Sequence, residues 1–148
     1  MNSYSANTAS LSQIIALFQN CIFDPPLDSY INVNDYTAKI LKFAQRFECW
    51  HGDALVGLVA MYANDQASRS AFITMVSVAN NFGGKGIASS LLGQAIGFAE
   101  KENYNQVALE VFSGNLKAIR LYEKLGFKRV PGEGEVKIRM EKQLEAGL

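Results

Sequence analysis

The chain has 148 residues, and its 14 basic and 14 acidic side chains give a formal net charge of zero. Hydrophobic residues make up 49% and charged residues 19%, so we expect one ordinary folded domain over residues 1–148. A net charge of zero argues against nucleic acid and anionic membranes as partners.

The cellular location of the protein can be predicted from its targeting signals and its cysteines. No apolar run approaches the roughly 20 residues that cross a bilayer, and the first ten residues lack the basic flank and apolar core of a signal peptide. We therefore expect a cytoplasmic protein without a membrane partner. Cys21 and Cys49 lie in apolar surroundings without metal-ligand spacing, which favours two buried, reduced thiols and no metal.

Hydrophobic spacing and turn residues predict the secondary structure in chain order. The patterns predict a helix over 9–22, a second helix capped by Asn34 or Asp35, strands over 47–50, 55–62 and 71–78, a helix over 86–102, a strand over 107–112, a helix over 115–125 ended by Gly126, and strands over 128–130 and 136–140 around a turn at 131–134. This order predicts an α/β (α+β) fold, with a mixed, mostly antiparallel central sheet, flanking helices and one strand–helix–strand crossover.

The segment NNFGGKGIASSLL, residues 80–92, joins the third predicted strand to the long helix. Glycines before a helix N-terminus let successive N–H groups point at an anion, and phosphate is the obvious ligand. The spacing is not that of a P-loop, because Ala79 and Gly86 stand where glycine and serine or threonine are needed. The dinucleotide fingerprint also fails, because Ser89 replaces its third small residue and hairpins precede the loop. Taken alone, the loop leaves open a glycine-rich turn without a ligand.

Two motifs together are more specific than this loop. VSVANNFGGKGIASSLL followed by LEVFSGNLKAIRLYEKLGFKRV resembles the GNAT superfamily of acyl-CoA N-acyltransferases. Residues 86–88 match the second half of the family's loop pattern. The family's later pattern, Asn-x-x-Ala-x-x-x-Tyr-x-x-x-Gly-Phe, is matched in full by Asn115, Ala118, Tyr122, Gly126 and Phe127. The resemblance covers residues 55–130 and implies the GNAT-like fold, with a splayed cofactor cleft, and acetyl-CoA (coenzyme A) as cofactor.

The resemblance also implies which residues hold the cofactor. The pantetheine amides would pair with the strand that leads into the loop, although its sequence alone fits an ordinary sheet strand. Gly83 departs from the family, which has Arg or Gln there, so the diphosphate would rest on backbone N–H groups aided by Lys85. The implied cofactor-binding residues are Val76, Ser77, Val78, Gly83, Gly84, Lys85, Gly86, Ile87, Ala88, Ser89, Asn115 and Tyr122.

The resemblance assigns catalytic roles as well. A backbone N–H near Val76 would stabilise the oxyanion, and Tyr122 would protonate the leaving thiolate. Helical spacing alone would make Tyr122 a core residue, and Asn115 would bond the pantetheine arm, cap the helix, or both. Glu110 is the candidate base, acting directly or through water, with a structurally satisfied charge as the alternative. His51 is expected to be exposed in a hairpin turn.

The resemblance places the acceptor at the first helix, the following loop and the hairpin end. Acidic and aromatic residues there suit a small amino-bearing molecule; they are Asp24, Asp28, Tyr30, Asp35, Tyr36, Tyr62, Asn64 and Asp65. The function predicted is N-acetyl transfer from acetyl-CoA to a primary amine, on a small molecule, by direct attack in a ternary complex. The alternatives are a non-catalytic acyl-CoA-binding or interaction module and a protein N-terminal or lysine acetyltransferase. The sequence leaves a homodimer open.

Overall fold

A computed structural model describes residues 2–132 and 136–145. Seven strands form one sheet in the order β1-β2-β3-β4-β5-β7-β6. The strands are β1 Asn2–Ala6, β2 Gln45–His51, β3 Ala54–Tyr62, β4 Ser70–Val78, β5 Gln106–Phe112, β6 Lys128–Arg129 and β7 Lys137–Gln143. The α-helices are α1 Leu11–Gln19, α2 Val33–Phe43, α3 Ile87–Lys101 and α4 Leu116–Lys124. The prediction of a mixed, mostly antiparallel sheet with flanking helices is confirmed.

The chain groups into two compact units. The first unit comprises Met1–Met61 and Met75–Ala95, and the second unit comprises Tyr62–Thr74 and Ile96–Leu148. The single domain expected over residues 1–148 stays a prediction. Over the residues that the structure describes, none of the helices combines the length and apolar character needed to span a membrane.

The first unit opens with a strand that the sequence patterns missed. β1 pairs antiparallel with β2, with Tyr4 opposite Cys49, so the prediction that the chain opens with a helix is wrong. The sequence of β1, NSYSA, has no apolar alternation because it lies at the sheet edge with mostly exposed side chains. Its Ser5 hydroxyl instead accepts a hydrogen bond of 2.8 Å from the indole N–H of Trp50.

The two helices of the first unit begin at side-chain caps. Ser10 caps α1 in a reciprocal arrangement with Gln13, and α1 ends at Gln19, three residues before the predicted end. Asn32 caps α2, because its Oδ1 accepts a hydrogen bond of 3.0 Å from the N–H of Asp35. The prediction that Asn34 or Asp35 is the cap is therefore wrong by two or three residues, and both lie inside the first turn.

The hairpin and the long helix of the first unit follow the sequence prediction. β2 and β3 pair antiparallel around Gly52, whose φ is +60°. α3 approaches β3 closely at Gly57, where an added Cβ would lie 2.7 Å from Cγ2 of Ile87. The observed helix is one residue shorter at each end than the predicted 86–102. The core of this unit includes the fully buried side chains Ile14, Leu17, Ile40, Leu58, Met61, Leu91 and Leu92.

The second unit contains the parallel strand pair and the C-terminal strands. Ser70–Ile73 of β4 pair in parallel with Gln106–Leu109 of β5, and β7 pairs antiparallel with both β5 and β6. Gly126 follows α4 with a φ of +98°, as predicted for a helix end. The predicted turn at 131–134 extends into residues 133–135, which lie outside the described residues.

Candidate functional site

The glycine loop of the first unit has the backbone of an anion-binding turn. After one 3-10 turn at Asn80–Phe82, Gly84 and Gly86 have φ of +73° and +78°, and no atom lies within 4 Å of a Cβ built on either. The hydrogen bond that starts α3 runs from the N–H of Ser90 to the carbonyl of Gly86, at 3.0 Å. The N–H groups of residues 87–89 precede that bond and therefore have no helical acceptor. The backbone thus presents donors beside open space.

Aromatic and basic side chains pack around this loop. The ammonium of Lys85 lies 5.3 Å from the ring centroid of Phe82, and that ring lies 5.2 Å from the ring of His51. The Nδ1 of His51 is 3.1 Å from Oδ1 of Asn2. His51 is exposed at the end of β2, as predicted, and its contacts join it to β1 and to the loop. Lys85 keeps its cation beside the glycines.

The end of β4 carries the three predicted strand residues of the cofactor site. Val76 and Val78 are half-buried, whereas Ser77 is 5% exposed. The hydroxyl of Ser77 has no hydrogen-bond partner among the residues that the structure describes. An unpartnered buried hydroxyl costs free energy, so a ligand that reaches it gains a hydrogen bond. This orphan polar atom, directly before the glycine loop, fits a pantetheine-bearing cofactor.

The carbonyl of Val78 accepts a contact that sequence reasoning missed. The Sγ of Cys21, in the segment after α1, lies 3.4 Å from the carbonyl oxygen of Val78. Burial raises the pKa of the Cys21 thiol to about 11, so the group stays protonated and donates. Cys49 is fully buried and Cys21 half-buried, and both are free thiols. The residues of this contact are 57 positions apart, and no local pattern connects them.

In the second unit, Tyr122 lies on the buried face of α4. It is 7% exposed, and its ring meets the ring of Phe127 edge-on at 6.0 Å between centroids. Burial raises the pKa of Tyr122 to about 12, so its phenol carries its proton at neutral pH. Asn115 caps the same helix, with Oδ1 accepting from the N–H of Ala118 at 3.2 Å. The capping role predicted for Asn115 is therefore confirmed, and its bond to pantetheine stays a prediction.

Glu110, the candidate base, is exposed on β5 of the second unit. It stands opposite Arg139 in the antiparallel register of β5 and β7, and the guanidinium of Arg139 is 2.8 Å from the carboxylate of Glu141. An exposed carboxylate can accept a proton or pass it to water. The catalytic role of Glu110 stays a prediction.

A buried ion pair in the first unit was not foreseen. Arg46 and Glu48 point inward from β2, and the carboxylate of Glu48 also accepts hydrogen bonds from Ser5, Thr8 and Ala9. The signal available in the sequence was a charged residue, Glu48, between the apolar residues Phe47 and Cys49. This network connects β1 and the start of α1 to β2, which indicates a structural role.

The predicted acceptor residues are dispersed. Asp28 lines a cavity of about 540 Å³ in the first unit, between the C-terminal half of α1, the segment 21–28 and the start of α2. The remaining predicted residues do not line it. Asp65 instead closes a turn by accepting from the N–H groups of Ala67 and Ser68, both at 3.1 Å.

Known proteins resemble this chain in sequence or in fold. The N-acetylaspartate synthetase of Danio rerio is 40% identical over 81 residues, which are 55% of this chain and 28% of that protein. The chain thus spans little more than a quarter of that relative's length. A crystal structure of a Pyrococcus horikoshii OT3 protein is 25% identical with a TM-score of 0.81, covering 98% of this chain and 99% of that one. The PaiA N-acetyltransferase of Thermoplasma acidophilum, solved in complex with coenzyme A, has a TM-score of 0.77 at 17% identity, covering 95% and 99%, a likeness of fold alone.

The family itself is identified over most of the chain. The model of the acetyltransferase (GNAT) family matches residues 12–127. That span contains α1 except its first residue, the glycine loop and the whole of α4. The chain therefore belongs to the GNAT family of acetyltransferases.

Proposed function

We propose that this chain transfers an acetyl group from acetyl-CoA to a primary amine on a small molecule, by direct attack in a ternary complex. The observation that carries the proposal is the glycine loop, where Gly84 and Gly86 have positive φ and open space at their Cβ positions before the first, unbonded N–H groups of a 15-residue helix. Family membership and the unpartnered hydroxyl of Ser77 at the end of β4 support the same ligand.

The residues of the first unit would bind and orient the donor. Backbone N–H groups of residues 83–89 would hold the diphosphate, with the cation of Lys85 close by, and the strand residues 76–78 would pair with the pantetheine amides. Acetyl-CoA supplies, when bound, a thioester carbon that an uncharged amine can attack. The N–H of Val76 would donate to the carbonyl oxygen as negative charge develops there.

The residues of the second unit would move protons. As the new carbon–nitrogen bond forms and the carbon–sulfur bond breaks, Tyr122 would give its phenolic proton to the sulfur. Its raised pKa keeps the phenol protonated at neutral pH, so the proton is available when negative charge develops on the sulfur. The proton lost by the amine would pass to Glu110, directly or through water. Asn115 would fix the first turn of the helix that carries Tyr122.

The proposal is tested by acetyl-CoA binding and by thiol release. Purified protein should bind acetyl-CoA in calorimetry and release the free thiol only when a suitable amine is present. Amino sugars, polyamines, amino acids, aryl amines and peptides form the first panel. Binding without thiol release from any amine would favour the non-catalytic acyl-CoA-binding module instead.

A loop variant tests where the donor binds. Gly86→Glu should abolish acetyl-CoA binding, because the carboxylate and its Cβ would occupy the place of the diphosphate. Gly52→Glu is the matched control, because Gly52 also has positive φ and open space around its Cβ position but lies in the β2–β3 turn. Unchanged affinity in a folded Gly86→Glu protein would show that the loop does not bind the donor.

A further inference from the structure

The first unit has an open cavity between α1, the segment 21–28 and the start of α2. Its volume is about 540 Å³, which is within the range of small-molecule sites. Six apolar side chains form most of its wall: Ile15, Phe18, Ile22, Phe23, Leu27 and Val33. The rings of Phe18 and Phe23 meet edge-on at 6.0 Å, which gives one wall an aromatic face.

The charge that lines this cavity is negative. Asp28 is the only charged side chain that lines it among the residues that the structure describes, and no lysine, arginine or histidine does so there. A ligand carboxylate would therefore lose water against apolar walls and face a like charge, which is unfavourable. A single ammonium would face an opposite charge, while a flexible polyamine would find one carboxylate for several cations.

The cavity wall is joined to the strand that leads into the glycine loop. Cys21 lines the cavity, and its thiol lies 3.4 Å from the carbonyl of Val78. One residue earlier, the carbonyl of Asn20 accepts a hydrogen bond of 2.8 Å from the N–H of Asn80. An amine held in this cavity is thus separated from the end of β4 by the side chain of Cys21.

The rim of the cavity offers apolar surface that a ligand can cover. Ile22 lines the cavity and is 78% exposed, and it is the most exposed large apolar side chain in the described part of the chain. Covering such a side chain with an apolar ligand removes it from water and favours binding. Ile22 therefore adds to the preference for an apolar ligand body.

We propose that the acceptor is an apolar primary monoamine without an acidic group, such as an arylalkylamine, with its body against the apolar wall and its ammonium beside Asp28. This inference rests on the proposed function and adds the substrate class. It separates this chain from the N-acetylaspartate synthetases that its sequence resembles, because aspartate carries two carboxylates.

The test compares amines of different charge and polarity with the full chain and acetyl-CoA. The probes are 2-phenylethylamine, L-aspartate, spermine and a tripeptide with an N-terminal alanine, with thiol release as the readout. We expect kcat/KM for 2-phenylethylamine to exceed that for L-aspartate by about 100-fold, the scale of an unpaired buried charge. Without acetyl-CoA, 2-phenylethylamine should raise the Tm of the protein, and L-aspartate should not.

Two substitutions locate the effect. Asp28→Asn should raise KM for 2-phenylethylamine about threefold with little change in KM for acetyl-CoA, because it removes the opposite charge from an exposed pair. Asp24→Asn is the matched control, since Asp24 is exposed in the same segment but does not line the cavity. Ile22→Lys should raise the same KM, because a second cation at the rim repels the ammonium. Ile22 is exposed, so the variant should keep the fold, and its Tm checks this.

The outcomes separate this inference from the proposed function. If L-aspartate, spermine or the peptide is acetylated faster than 2-phenylethylamine, or if Asp28→Asn behaves as Asp24→Asn does, the substrate class is wrong and the acetyltransferase function stands. If no amine releases thiol although acetyl-CoA binds and 2-phenylethylamine still raises the Tm, the proposed function fails and the cavity remains an amine site. If neither release nor a Tm shift occurs, the inference is overturned.

Discussion

The Nε of Arg46 lies 3.4 Å from Oε2 of Glu48, and both side chains are buried. Burial acts to raise the pKa of the Glu48 carboxyl, but hydrogen bonds from Thr8, Ala9 and Ser5 outweigh it and hold the pKa below its ordinary value of 4.5. The carboxylate is therefore ionised in the folded chain, and it joins β1 and the segment before α1 to β2 through one side chain.

Replacing that carboxylate should destabilise the fold. We expect Glu48→Gln to lower the free energy of unfolding by about 3 kcal/mol, the scale for leaving a buried charge such as Arg46 unpaired. Urea unfolding at pH 7 measures it. Glu141→Gln is the control, because Glu141 also pairs with an arginine, at 2.8 Å, but near the surface. An equal loss in both variants would contradict the structural role of Glu48.

The same residue should make stability depend on acid. Because its pKa is lowered by folding, its contribution is present above pH 4.5 and is lost as the pH falls through the lower folded value. The difference in unfolding free energy between wild type and Glu48→Gln should thus shrink below pH 4.5. A difference that stays constant to pH 2 would show that the carboxylate is not the source.

Tyr122→Phe should separate chemistry from packing. The ring contact with Phe127 does not need the hydroxyl, so the Tm and KM for acetyl-CoA should stay near wild type. Turnover should fall by on the order of 10²-fold, the usual effect of losing one general acid. The loss should shrink with an acyl donor whose thiol has a lower pKa, since that thiolate leaves unaided. Full turnover in the variant, when chemistry limits the rate, would make Tyr122 a core residue only.

Gly83→Arg should strengthen donor binding. Gly83 has a φ of −67°, and its added Cβ would meet only the carbonyl of Asn80 at 3.9 Å, so the backbone accepts a side chain there. The guanidinium should add one charge-assisted hydrogen bond to phosphate, roughly 1 kcal/mol or fivefold in Kd for acetyl-CoA. Gly83→Leu controls for bulk. Unchanged affinity with intact folding would contradict the idea that a phosphate contact is missing here.

Ser77→Ala should have opposite effects on the free and bound protein. Removing a buried hydroxyl without a partner should raise the free energy of unfolding by about 1 kcal/mol, while KM for acetyl-CoA rises. Ser70→Ala, on the same strand, is the control: its hydroxyl accepts from Gln106 at 2.9 Å, so its removal should destabilise. Lower stability and an unchanged KM in Ser77→Ala would contradict this prediction. That result would show that the hydroxyl makes a hydrogen bond that stabilises the fold.

Local spacing explains what the sequence predicted well. Three features depend on neighbours within a few residues: the glycine loop, the cap at Asn115 and the helix end at Gly126. The local sequence therefore predicts them. The contact of Cys21 with Val78 and the bonds from residues 5–9 to Glu48 join positions 39 or more apart. Partners that far apart are chosen by tertiary packing, which hydrophobic periodicity does not encode.

Gly57 has a further consequence for the loop. A Cβ there would lie 2.7 Å from Ile87, the first residue of α3, and 3.2 Å from Leu91, one turn later. The first turn of that helix can rest on β3 only because residue 57 has no side chain. Affinity for an anion can therefore be lost at a position that carries no polar atom, lies outside the loop and touches no ligand, so a survey of binding defects confined to polar residues would overlook it.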